Sequence, residues 1–387
     1  MMVHRIITLP DKGSFFLFGP RQTGKSTLIN SLYRTHIWKI DLLLSENFFA
    51  YSKDPALFRH EAIEKLRRGH INTIFIDEIQ RVPELLNEVH FLMEQYPNCR
   101  FIMTGSSARK LRRGGVNLLA GRAVERRLFP FVYAEIRENF NLDDALQFGT
   151  LPPVWSKNSD EKRDILQAYV HTYLQTEIQS EGLARNLGGF SRFLDMAAAQ
   201  FGELLNYTAI SRECRLAART VMEYYNILED TLIGFRLYPF RKSLRKRLQS
   251  HPKFYFFDTG VINALNRTLT GPIVPQLRGR LFEHFVILET HRMLQYRRSE
   301  AALYFWRTHH GAEVDLLIEK HGILRAAFEI KSSPQISGAD LTGLYSFRRA
   351  HPEVPCFVIS TVPHAFDIQG IQVLPWVDYL SRLDDWI

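Results

Sequence analysis

Gly19-Pro20-Arg21-Gln22-Thr23-Gly24-Lys25-Ser26 leaves a chain few choices of fold. The run fits G-x-x-x-x-G-K-[ST]. It follows an apolar segment, Phe15 to Phe18, that reads as a strand, and it opens an amphipathic segment, Lys25 to Tyr33, that reads as a helix. That strand–loop–helix setting is what the motif needs to wrap a phosphate chain. Glycine at 19 and 24 lets backbone approach the phosphate oxygens, and the loop N–H groups with the helix N-terminus supply positive potential. Lys25 is expected on the β and γ phosphates and Ser26 on Mg²⁺, with Thr27 counted in the same cradle.

Thr73 to Ile76 reads as a buried strand ending in two carboxylates, Asp77 and Glu78. Asp77 is expected to hold the Mg²⁺ shell, and Glu78 to orient and deprotonate an attacking water. The next strand, Arg100 to Met103, runs into Thr104-Gly105-Ser106-Ser107. Thr104 and Ser106 are both candidates for the polar residue beside the γ phosphate, and the sequence does not choose between them. A strand at Trp38 to Leu42 lies between the two phosphate motifs, and no Asn-Lys-x-Asp run reads guanine. Both points favour ATP over GTP. Helices at Pro55 to Arg68, with Asp54 as N-cap, and at Pro83 to Gln95 complete a strand–helix alternation. Alternation of this kind predicts a parallel sheet covered on both faces.

Charge adds a second theme. The 387 residues carry 49 Lys and Arg against 41 Asp and Glu, a net +8. A surplus of that size allows a polyanionic partner without requiring one. It is concentrated in Arg100 to Arg127, with eight basic residues and one acid, and in Leu205 to Ser250, with nine basic and four acidic. The first segment reads as a polyanion contact, a solvated basic loop or the home of an arginine finger, for which Arg122 is the candidate. Three scattered cysteines exclude a disulfide framework and a zinc cluster. With no signal-like N-terminus and no bilayer-length apolar run, the expected setting is cytoplasmic, away from membranes.

The middle of the chain reads as helical. One long amphipathic segment spans Lys162 to Glu181, a glycine-rich boundary follows at Gly182 to Gly189, and three helices come next. Thr208 to Cys214 and Ala217 to Asp230 have helix-turn-helix spacing, with Arg219, Thr220 and Glu223 facing out and Val221, Tyr225 and Leu228 in. The run Arg241 to Arg247, five basic residues in seven, is a candidate wing able to release counterions from a phosphate backbone. Winged helices also serve as protein contacts or spacers, so this module alone does not decide the partner.

Glu313 to Glu319 and Ala326 to Lys331 look like hairpin arms turning at His321-Gly322. A turn centred on Gly322 sets Asp315 opposite Glu329, and a tighter one shifts the pairing by one. Glu329 and Lys331 are two apart and share a face. Two carboxylates and a lysine at a strand end suit metal-assisted phosphodiester hydrolysis. Asp315 and Glu329 would hold Mg²⁺ or Mn²⁺, Lys331 would help activate water or stabilise developing charge, and Glu283 on the preceding helix would add a ligand or a carboxylate behind one. An ordinary salt-bridged hairpin has the same residues. His309-His310 is a further candidate ligand pair.

Together, Gly19 to Ser26, Phe75-Ile76-Asp77-Glu78, Thr104-Gly105-Ser106-Ser107 and Leu119-Ala120-Gly121-Arg122 resemble the prokaryotic AAA-type ATPases that carry a C-terminal domain of the PD-(D/E)XK nuclease fold. In that resemblance Glu283 is the helix glutamate, Asp315 the metal aspartate and Glu329-Ile330-Lys331 the E-x-K step. It implies an α/β chain in three parts: a P-loop parallel-sheet ATPase domain with a helical extension at 1–185, a winged-helix-like module at 186–270, and a mixed α/β restriction-endonuclease-like domain at 271–387. ATP and Mg²⁺, with Mn²⁺ at the second site, are the implied cofactors. Nucleic acid, DNA foremost, is the implied partner, and a homo-oligomer stays open. The alternative is a nucleotide-switched binding or scaffold protein whose nuclease-like fold is inactive.

Overall fold

The computed structural model describes residues 3–106, 111, 119–174, 186–241 and 251–387. The described chain forms two compact units. One is His4–Pro130 with Ile227–Ile233, and the other is Phe131–Asn226 with Gly234–Ile387.

The first unit is built on β1 (Ser14–Phe18), β2 (Ile37–Asp41), β3 (Thr73–Asp77), β4 (Arg100–Gly105) and β5 (Ala123–Arg127), in the order β2-β3-β4-β1-β5, all parallel. Alternate residues supply the two faces. Phe16, Phe18, Ile40, Ile74, Ile76, Phe101 and Met103 enter one core, while Phe15, Leu17, Phe75 and Ile102 enter another with Leu28 and Ile29. Both faces are therefore closed, which is why the central strands read as unbroken apolar runs. The helices are α1 (Lys25–Leu32), α2 (Ser45–Lys53), α3 (Pro55–Arg67) and α4 (Leu85–Gln95). Asp54 caps α3 by accepting from the Ala56 N–H at 3.0 Å.

Two elements here run against the sequence reading. Ser45–Lys53, between two expected elements and assigned to neither, forms a helix. Ala123 to Arg127, read as part of a basic loop, is an edge strand paired with β1 from Ser14↔Ala123 to Phe18↔Arg127. Charged side chains are tolerated there because an edge strand has one open side. The strand standing in space between the two phosphate motifs is β4, and β2 lies at the far edge. Of the basic segment, Ser107, Arg109, Lys110, Arg112 and Arg113 lie outside the described residues.

The second unit begins with a turn at Tyr133–Ile136, α5 (Leu142–Phe148) and α6 (Ser159–Ala168), which passes into a π-helical turn at Tyr169–Leu174. The remainder of the expected Lys162–Glu181 helix and most of the Gly182–Gly189 boundary lie outside the described residues. Three helices follow: α7 (Leu187–Ala199), α8 (Tyr207–Cys214) and α9 (Ala218–Asp230). Arg215 takes the left-handed turn between α8 and α9 at φ 53°. Val221, Tyr225 and Leu228 are fully buried, while Arg219 and Glu223 are exposed. The strands β6 (Gly234–Pro239) and β7 (Lys253–Phe256) pair antiparallel. Of the candidate wing, only Arg241 is described.

An eight-stranded mixed sheet follows, ordered β12-β13-β11-β10-β9-β8-β6-β7. Its further strands are β8 (Ala302–Arg307), β9 (Glu313–Lys320), β10 (Ile323–Lys331), β11 (Cys356–Ser360), β12 (Phe366–Ile368) and β13 (Ile371–Pro375). Between β7 and β8 run α10 (Thr259–Leu265) and the 23-residue α11 (Pro275–Arg297), and α12 (Thr342–Ala350) leads to β11. The Thr270–Gly279 stretch, expected as a boundary, already holds the first turns of α11. Across it, Tyr238 pairs with Tyr304 and Pro239 with Phe305, so β6 and β7 belong to the same sheet as the hairpin behind them.

Candidate functional site

At the mouth of β1 the chain makes a tight loop. Gln22 and Gly24 take positive φ, 64° and 90°. A Cβ on Gly19 would stand 2.2 Å from the Leu128 carbonyl oxygen, so only glycine lets the loop pass the end of β5 this closely. Arg5 braces the same place, donating to the Thr23 carbonyl at 2.9 Å and to the Phe129 carbonyl at 2.6 Å. The Gly19 N–H bonds Gly105 O at 3.2 Å, and Thr23 Oγ1 bonds Pro20 O at 2.9 Å. Lys25, the first residue of α1, is buried. Its Nζ donates to Gly19 O at 2.9 Å and Pro20 O at 3.1 Å, which holds the ammonium inside the loop. Thr27 is exposed on the first turn of α1.

Asp77, Glu78, Thr104 and Ser106 are all buried at the ends of β3 and β4. Thr104 Oγ1 donates to Asp77 Oδ1 and accepts the Glu78 N–H at 3.3 Å. Ser106 takes a different partner, accepting from Gln80 Nε2 at 3.1 Å. The same Nε2 holds Glu78 Oε2 at 2.5 Å. Gln80 is thus a site residue that the sequence reading passed over. It stands two residues beyond Glu78 and carries no motif signal. Burial raises the proton affinity of Asp77, while hydrogen bonds from Ser26 and Thr104 oppose that rise. A serine hydroxyl and a carboxylate converging from two elements are hard oxygen donors of the kind Mg²⁺ takes, so the residues fit that ion. Arg122 stands at the start of β5, exposed, with its guanidinium on Glu94 at 3.0 Å and on His90 at 3.5 Å. Both partners belong to α4.

The second cluster lies in the other unit. The β9–β10 turn is His321-Gly322, both at positive φ. Its ladder runs to Leu316↔Phe328, so the next step sets Asp315 against Glu329. Asp315 Oδ2 accepts the Ile330 N–H at 2.8 Å, and Lys331 Nζ donates to Glu329 Oε1 at 2.6 Å. Burial first, and then the nearby Glu329 and Glu283 carboxylates, hold Asp315 far above the ordinary carboxylate range. Burial also raises Glu329, against the pull of Lys331. Three residues outside the expected set join them. Lys253 of β7 sits 3.2 Å from Glu283 Oε1 and 2.7 Å from Glu313 Oε1, and the Tyr255 hydroxyl donates to Glu283 Oε1 at 2.7 Å.

A resident metal does not fit this cluster as it stands. Glu283, expected as a ligand, has its Oε1 committed to Lys253 and Tyr255. Among the described residues no group of three or more His, Cys, Asp or Glu is arranged to hold a metal ion. His309 and His310 are both exposed.

Residues 11–137 match the AAA domain family, and residues 139–270 and 278–379 match two families described as domains of unknown function, DUF8612 and DUF4143. An uncharacterised protein of Mycobacterium tuberculosis is 28% identical over 341 residues, 86% of this chain and 74% of that one. One of Haemophilus influenzae is 24% identical over 268 residues, 63% of this chain and 66% of that one. Among solved structures, the replication initiator DnaA bound to AMPPCP and single-stranded DNA aligns with a TM-score of 0.27 at 13% identity, over 56% of this chain and 82% of that one. Domain III of Thermotoga maritima DnaA aligns with a TM-score of 0.25 at 14% identity, over 42% of this chain and 78% of that one. Among the described residues, no helix is long and apolar enough to cross a membrane.

Proposed function

We propose that the AAA domain binds ATP with Mg²⁺ and hydrolyses it, and that this cycle governs a nucleic-acid-binding second unit, with DNA the favoured partner. The observation that carries the ATPase reading is the convergence of Lys25, Ser26, Asp77, Glu78 and Thr104 at the ends of three adjacent parallel strands. The loop Gly19–Thr27 would wrap the phosphate chain, with Lys25 on its β and γ oxygens. Ser26 and Asp77 would hold the Mg²⁺, which supplies charge neutralisation on those oxygens. Glu78, fixed by Gln80, would take the proton of the attacking water. Thr104 and Ser106 would report on the γ phosphate. Arg122, exposed at the edge of the sheet, is suited to serve the site of a neighbouring copy.

The test is a pair of variants. Lys25→Ala should lose nucleotide binding. Glu78→Gln should bind ATP as the parent does while turnover falls about 100-fold or more. A Glu78→Gln protein that turns over at the parent rate removes Glu78 from the reaction.

For the second unit, the ion pairs of Lys253 favour binding without cutting over metal-dependent cleavage at Asp315, Glu329 and Lys331. Metal-dependent cleavage of a DNA and RNA panel, abolished by Lys331→Ala, separates the two.

A further inference from the structure

The carboxylates Glu283, Glu313, Asp315 and Glu329 come from α11, β9 and β10 and act on one another, with Asp315 and Glu329 buried and Glu283 and Glu313 partly exposed. Three cations meet them: Lys253, Lys331 and Arg307, the last at 2.9 Å from Glu313 Oε2. Lys253 is the odd member. It enters from β7, outside the hairpin and helix that carry the acids, and is only 4% exposed. Its ammonium bridges Glu283 and Glu313, which stand 30 residues apart in sequence. Burial alone would pull the Lys253 ammonium down, yet Glu283, Tyr255, Asp315 and Glu313 outweigh it and hold the charge. One acceptor is left over. Glu329 Oε2 is buried and has no hydrogen-bond partner, although Glu329 itself is 7% exposed.

We propose that the Lys253 ammonium takes the part of a metal ion in this cluster, so that the intact chain binds no divalent cation there and removal of the ammonium opens a latent site at Asp315, Glu329 and Glu283. Electrostatics supports the assignment. Four carboxylates meet three cations, so the cluster is already close to charge balance without any metal ion. A divalent ion entering beside Lys253 would add two positive charges to a cluster that already holds three. Without Lys253, the half-buried Glu283 loses its ammonium and Glu313 keeps only Arg307, while the orphaned Glu329 oxygen adds a donor to the set that an oxygen-seeking cation requires. The inference does not rest on the ATPase reading.

The experiment titrates Mn²⁺ into nucleotide-free, full-length protein, read by electron paramagnetic resonance and calorimetry. Parent and Asp315→Asn should give indistinguishable isotherms. Lys253→Met should gain one ion bound about tenfold or more tighter than any in the parent, and the Lys253→Met/Asp315→Asn double variant should lose it. Mn²⁺ binding in the parent that Asp315→Asn abolishes overturns the proposal. So does a Lys253→Met protein with parent-like circular dichroism that gains no ion. If Lys253→Met does not fold, the parent and Asp315→Asn comparison still decides. Identical isotherms support the assignment and a lost ion refutes it.

Discussion

Thr104 has one hydroxyl and two neighbours that use it. The proton goes to Asp77 Oδ1, and a lone pair takes the Glu78 N–H at 3.3 Å. That single atom therefore fixes the Asp77 carboxylate and the Glu78 backbone, and it does so from β4, the strand between β1 and β3. Glu78 needs such a tether because its backbone is left-handed at φ 59°. Thr104→Val keeps the shape and removes the hydroxyl. It should leave nucleotide affinity within about threefold and lower turnover by about tenfold or more, since the loss falls on alignment rather than on ground-state binding. Steady-state rates beside a fluorescent-nucleotide titration check this, and an unchanged rate assigns the alignment elsewhere. The sequence offered Thr104 and Ser106 as equals because both end the same strand. What distinguishes them is a partner across the sheet, Asp77 for one and Gln80 for the other, and no spacing along the chain encodes that.

At the scale of elements, α11 shows how a long helix is anchored away from any site. Glu289 and Arg292 lie one turn apart on it, both almost wholly buried, with Arg292 Nη1 3.2 Å from Glu289 Oε1. Glu289 Oε2 accepts the Tyr133 N–H at 2.7 Å, and Arg292 reaches the carbonyls of Phe131 at 3.1 Å and Phe257 at 2.7 Å. The pair thereby ties two stretches of backbone, at Phe131–Tyr133 and at Phe257, to one helix. Burial outweighs Arg292 and pushes Glu289 up to about 7 from 4.5. Folding therefore takes up a proton between those values, and this contribution to stability is full below pH 4.5 and declines as pH rises toward 7. Glu289→Gln, which cannot ionise, should flatten that part of the melting-temperature profile. A parent-like slope in the variant would falsify the assignment. Elements also differ in how far the sequence reveals them. The β9–β10 hairpin was legible from its His321-Gly322 turn and apolar arms, and β1, β3 and β4 from runs buried on both faces. The edge strand β5 was not, because Ala-Val-Glu-Arg-Arg has the composition of a loop and becomes a strand only through its ladder to β1.

The net charge of +8 belongs to the whole molecule, but most of it comes from two stretches of chain. If those stretches meet a phosphate backbone, affinity for single- and double-stranded DNA should fall steeply between low and physiological salt, with a log–log slope reflecting several released counterions. Filter binding at four salt concentrations measures it, and a flat response removes the electrostatic case. The nucleotide site was readable at this scale because its chemistry is contiguous: eight residues in one loop and two at the end of one strand. The second cluster was half readable. Asp315, Glu329 and Lys331 announce themselves on one hairpin. Lys253 sits at the start of an apolar run, 30 residues from Glu283 and 60 from Glu313, and nothing local marks it as their counter-ion.

The pairing of β6 with β8 bears on how the chain can be divided. A fragment beginning near Thr270 would be cut through a sheet, parting β6 and β7 from the other six strands. It would keep β8 and lose the neighbour that meets Tyr304 and Phe305. Open backbone on that side is a template for any extended chain, including a second copy of the fragment. It would also strip Lys253 from the acids and leave them crowded without their cation. Such a fragment would have both a sticky edge and an uncompensated cluster of acids, so insolubility or metal uptake measured on it would report the excision rather than the protein.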